Sequence, residues 1–121
     1  MKKLVGLSLV FCWLLVSSIA FSETWVATCN KVQFNFSKSN KVLLVYFHTT
    51  AGIFQIAKGK ITLDTPTHVL ASIDGNSLYQ GKPITQIGLN PSRRQVYVYY
   101  KYGNNEKSGD FCAKAVVRRI L

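Results

Sequence analysis

The sequence predicts an all-β fold, a single small antiparallel β-sandwich or barrel of about eight to nine short strands. Three observations carry this reading. Val32, Phe34 and Phe36 alternate with Gln33 and Asn35, the period-two pattern of a half-buried strand. Gln95 to Tyr102 (QVYVYYKY) concentrates β-branched and aromatic residues. Turn-forming residues interrupt the chain about every 8–12 residues, and few segments repeat apolar residues at helical spacing behind a helix-start signal.

The remaining elements follow in order. Lys41 to Thr49 (KVLLVYFHT) is apolar on both faces, as a central strand would be. Thr49-Thr50-Ala51-Gly52 turns the chain into a strand carrying Ile53, Phe54 and Ile56. Lys58-Gly59-Lys60 reads as punctuation before a separate segment Ile61 to Leu63, and Asp64-Thr65-Pro66 as the next turn. Val69 to Ile73 is a short strand stopped by Asp74-Gly75-Asn76. Pro83 to Leu89 is another, stopped by Asn90-Pro91-Ser92. After Gln95 to Tyr102, Gly103-Asn104-Asn105 opens a last loop. Phe111 to Val117 then closes the fold as a strand, because Val116 and Val117 disfavour a helix there. A transmembrane barrel is excluded on length: its spanning strands need about 9–11 residues each in at least eight copies.

Residues 1–22 stand apart from this pattern. Lys2 and Lys3 precede an uncharged apolar run from Leu4 to Val16, followed by the small residues Ser17, Ser18 and Ala20. This is the layout of a secretory signal peptide, an N-terminal signal helix cut after Ala20 or Ser22. The alternative is an uncleaved anchor, which the small-residue end and the lack of a basic stop disfavour. The domain organisation is then signal peptide 1–22 and one β domain 23–121.

The full chain has 15 Lys+Arg against 5 Asp+Glu, a net +10. Removing Lys2 and Lys3 leaves 13 basic and 5 acidic residues, net +8, so the charge belongs to the β domain. Cys12 leaves with the signal peptide. Cys29 and Cys112 remain, and in an oxidising compartment such a pair reads as a disulfide between the first and last strands. A redox or metal role would need cysteines two residues apart or further ligands nearby, which the sequence does not supply.

The titratable inventory argues against an enzyme. The acids are Glu23, Asp64, Asp74, Glu106 and Asp110, and the histidines are His48 and His68. No carboxylate lies inside an expected strand, so a paired-carboxylate hydrolase has no rigid face to stand on. There is no G-x-S-x-G, G-x-G-x-x-G or P-loop motif, and two separated histidines do not make a metal site. No cofactor is expected.

The basic surplus is the remaining global signal. Arg93 and Arg94 begin the strand that carries Tyr97 and Tyr99, with Lys101 in the same stretch. Cations beside aromatic rings on a sheet suit a stacking platform or a sugar-binding face, so these five residues are the candidate anion- or partner-binding set. The competing reading is a tyrosine-rich strand with cross-strand ring pairs and solvated turn arginines.

The expected function is that of an exported, periplasmic or secreted, non-catalytic binding module for an anionic envelope component or an acidic protein. Nucleic acid is not expected, no transmembrane segment remains after signal cleavage, and peripheral membrane contact is compatible with the charge. Alternatives are an inhibitor or immunity-type protein acting through the segment Tyr102 to Asp110, or a small hydrolase. The layout of signal peptide, β domain of about a hundred residues and long-range cysteine pair resembles that of bacterial periplasmic lysozyme inhibitors. The resemblance ends at layout. Their Ser-Gly-x-x-Tyr loop motif has no counterpart, the nearest string being Ser108-Gly109-Asp110-Phe111-Cys112, and a basic chain has the wrong charge for a basic lysozyme.

Overall fold

Ten strands follow one another along the chain: β1 (Thr24–Cys29), β2 (Val32–Ser37), β3 (Val42–Thr49), β4 (Gly52–Asp64), β5 (Val69–Asp74), β6 (Leu78–Tyr79), β7 (Lys82–Asn90), β8 (Gln95–Tyr102), β9 (Asn105–Cys112) and β10 (Val116–Ile120). The computed structural model describes residues 23–74, 77–112 and 114–120. The expected signal peptide lies outside the described residues.

All pairing is antiparallel, and the sheet runs β10-β1-β2-β3-β4-β5-β7-β8-β9, with β6 paired to β7 alone. The path is a meander whose last strand returns beside the first. The result is one open, curled sheet, a half-barrel, and not the two stacked sheets of a sandwich. Curling a single sheet lets its concave face bury itself. Phe34, Phe36, Leu43, Val69, Leu89, Val96 and Val98 are almost fully removed from solvent there. They occupy alternate positions of β2, β3, β5, β7 and β8, as the period-two side-chain pattern requires.

Several expected boundaries change. Lys58-Gly59-Lys60 does not break the chain: β4 is one strand of 13 residues running through it. A Cβ on Gly59 would lie 2.7 Å from the Ser72 carbonyl oxygen, so this glycine lets β5 pack close rather than ending a strand. Shifts of register at Val45/Tyr46 and Ile61/Leu63 bend β4 and support the curl. The expected loop Tyr102 to Asp110 is instead the β8–β9 hairpin, with only Gly103 and Asn104 in the turn. The expected closing strand is divided, Phe111 and Cys112 ending β9 and Val116 beginning β10.

The disulfide also requires correction. Cys29 and Cys112 are free thiols and do not stand at disulfide distance. The reason lies in the ladders. Cys29 pairs with Val32 at the end of β1, whereas Cys112 pairs with Val96 at the end of β9. The sheet is open between β9 and β10, so no ladder draws these ends together. They line one hollow, and burial first, then the neighbouring Cys112, pushes the Cys29 thiol well above the ordinary thiol range. Ala115 N–H donates to the Arg94 carbonyl at 2.7 Å, tying the β9–β10 connection to the β7–β8 turn across this seam. Near the start of β1, Lys38 Nζ bridges Asp64 at 2.9 Å and Glu23 at 3.2 Å, and Arg119 meets Glu23 at 3.2 Å.

Candidate functional site

The expected site residues lie on and around β8, where side-chain parity sorts them. Val96 and Val98 point into the core, so Gln95, Tyr97 and Tyr99 share the convex outer face. Tyr97 pairs with Gly88 on β7 and Asp110 on β9, and Tyr99 pairs with Gln86 and Ser108. Gly88 fixes the Tyr97 ring: a Cβ there would lie 2.2 Å from the ring carbon Cζ, so the ring lies directly over the glycine backbone. Tyr97 and Tyr99 meet edge to face with centroids 5.7 Å apart. Partial burial first, and the neighbouring Tyr99 second, raise the Tyr97 hydroxyl above its ordinary pKa.

Two turns complete the walls. Thr65 hydroxyl accepts the His68 N–H at 2.9 Å and donates to the His68 carbonyl at 3.0 Å, a local lock before β5. It presents the His68 ring edge to face with Tyr97, at 6.4 Å between centroids. After β7, the Asn90 side chain, buried to 7 % exposure, accepts the Ser92 hydroxyl at 2.8 Å and the Arg93 N–H at 3.2 Å. That capped turn holds Arg93 at the lip. Gln95 amide donates to the Asp110 carboxylate on β9.

Together these residues line an open groove of about 540 Å³ on the outer face, walled by Tyr97, Tyr99, His68, Arg93, Asp110 and Ser108 among others. Its lining holds two tyrosine rings set at 82° to each other, a guanidinium, a carboxylate, a histidine and neutral donors and acceptors. Arg93 makes no ion pair among the described residues. Such a surface can stack a flat or sugar-like ring and bond its polar substituents. Beside it the Thr67 hydroxyl lies 3.0 Å from His68 Nδ1, and among the described residues no group of three or more His, Cys, Asp or Glu converges.

Of the five expected binding residues, Arg93, Tyr97 and Tyr99 come together in this groove. Arg94 does not: with a φ of 52° it closes the turn in the left-handed region, and it lines a separate hollow beside Lys114 and Val116. Lys101 is exposed further along β8, opposite Glu106. The edge-to-face packing of Tyr97 on Tyr99 realises part of the competing reading, in which strand tyrosines pack on one another. The groove also contains His68, Asn90 and Asp110, which sequence reasoning did not join to Tyr97. Asn90-Pro91-Ser92 was legible as a turn, but its Asn cap signals position and not partnership.

A second aromatic cluster was also missed. Tyr102, on the other parity of β8, lies between two lysines, with Lys82 Nζ 4.5 Å and Lys107 Nζ 4.4 Å from its ring centroid.

No family model, curated protein or solved structure matches this chain. The functional reading therefore stands on its own residues.

Proposed function

We propose that the protein is an exported, non-catalytic binding module whose outer groove takes an anionic envelope glycan. The observation that supports this best is the gathering of Tyr97, Tyr99 and an ion-pair-free Arg93 in one open polar groove. One tyrosine ring stacks on a pyranose face while the other, edge to face with it, holds it in place, and Arg93 binds a carboxylate or phosphate substituent in a bidentate bond. His68, Ser108 and Asp110 bond ring hydroxyls. Asp110 within the groove sets the charge density of the ligand: a glycan with spaced negative groups fits, whereas a dense polyanion would meet a carboxylate. The net charge of +8 for residues 23–121 draws the ligand in from a distance.

The glycan reading is tested by titrating an acidic oligosaccharide and its carboxyl-reduced, neutral form into the protein. The acidic form should bind and weaken as salt rises, and Arg93→Ala should remove most of its advantage over the neutral form. Equal binding of both forms, or no loss in Arg93→Ala, refutes the reading.

A further inference from the structure

In an antiparallel meander, alternate turns fall at the same end of the sheet. The turns 30–31, 49–52, 80–81 and 103–104 therefore share one end. Five of the large exposed apolar side chains lie there: Ile53 at 65 % exposure, Phe54 at 51 %, Ile56 at 52 %, Leu78 at 62 % and Tyr102 at 51 %. Ile53, Phe54 and Ile56 belong to the β3–β4 hairpin, which outruns its neighbours. β2 pairs with β3 only as far as Phe47, and β5 pairs with β4 only from Lys58 onward. Among the described residues, the hairpin tip thus projects beyond the strands paired on either side of it.

The charge at this end has one dominant sign. Lys31 stands in the 30–31 turn and Lys58 follows the hairpin tip on β4, whereas Lys38, Lys41 and Lys60 lie toward the opposite end. Lys31 is held beside the hairpin by the His48 N–H bond to its carbonyl at 2.8 Å. Lys82 and Lys107 flank the Tyr102 ring on the far side of the same rim, and exposed Lys101 precedes it on β8. The acids at this end are Glu106, which accepts bonds from Thr85 at 2.6 Å and Gln86 at 3.2 Å, and Asp74, opposite Lys58.

We propose that this end of the sheet docks on an anionic lipid bilayer, with the β3–β4 tip and Leu78 inserted and the lysines on the headgroups. An apolar tip ringed by cations, with a tyrosine held between two ammonium groups, matches an interface that is hydrocarbon below and anionic above. A second observation agrees. Ile56 and Leu78 also line an apolar cleft of about 240 Å³ that reaches Phe34, Val45 and Ile87, offering a slot for the methylenes of an acyl chain. This surface is separate from the glycan groove, to which neither Phe54 nor Leu78 belongs.

The test is co-sedimentation of residues 23–121 with vesicles of phosphatidylcholine alone and of phosphatidylcholine with phosphatidylglycerol. The protein should bind the anionic vesicles at least tenfold more tightly. Phe54→Asp should lower that binding at least tenfold with its melting temperature unchanged, since the side chain is exposed. Lys82→Glu should lower it less, and Tyr97→Ala should leave it as it was. Equal binding to both vesicles, no binding to either, or undiminished binding by Phe54→Asp overturns the proposal. So does a stable dimer that buries Phe54, because the tip would then serve a second copy of the chain.

Discussion

The two faces of β8 carry different duties on one stretch of backbone. Val96 and Val98 are wholly buried among the strands of the curl, whereas Tyr97 and Tyr99 lie half-covered on its outer surface. The inward pair is held by apolar packing that tolerates neither charge nor loss of volume. The outward pair is held by one glycine and by ring contacts with each other and with His68. The difference teaches that stability and recognition separate by residue parity here, so substitutions one position apart should have opposite signatures.

The sharpest way to break that contrast is Val98→Asp beside Tyr99→Asp. A lone carboxylate at Val98 has no partner in the apolar core, and the variant should show no cooperative thermal transition. Tyr99→Asp should fold, with circular dichroism like the parent, and lose ligand binding. If both variants unfold, the outer face is structural and the contrast fails. Next in size, Phe34→Ala should cost about 3–5 kcal/mol in denaturant unfolding. Its binding constant, measured where it is still folded, should be unchanged.

Gly88→Ala tests the join between the two faces. The added methyl must displace the Tyr97 ring, so the variant should lose about 1–3 kcal/mol of stability and also bind poorly although no groove side chain was altered. Retained binding would mean that the ring position over Gly88 is not needed. A smaller effect is expected from Tyr97→Phe. Burial and Tyr99 favour the neutral Tyr97 hydroxyl in the folded state. Its contribution is therefore intact below pH about 10 and falls as the pH rises beyond it, because the unfolded chain ionises first. Absorbance titration should show one tyrosine lagging, and Tyr97→Phe should remove both the lag and that part of the alkaline loss. The smallest effect on groove binding is expected for Lys101→Ala, which lies outside the groove.

What was legible in the sequence follows the same logic. Local alternation reveals which residues of β2 and β8 share a face, so Tyr97 and Tyr99 could be paired from spacing alone. It does not reveal which strand lies alongside. Gly59 therefore read as a break, since nothing local shows that β5 packs against its bare backbone. β9 (NEKSGDFC) was missed because an edge strand with an exposed, polar outer row lacks the apolar alternation of its neighbours. His68, Asn90 and Asp110 reach Tyr97 only through register and turn geometry, so no motif announces them. The cysteine pair was found as a meeting point but not as a bond, because it spans the one place where the sheet is not zipped.

The most direct measurement of the central claim is backbone amide chemical-shift mapping during titration of an acidic oligosaccharide at physiological salt. The account predicts shifts concentrated at His68, Arg93, Tyr97, Tyr99, Ser108 and Asp110, none at the β3–β4 tip, and their loss in Tyr97→Ala. Shifts confined to the lysines of the rim, or a pattern unaltered in Tyr97→Ala, would contradict it.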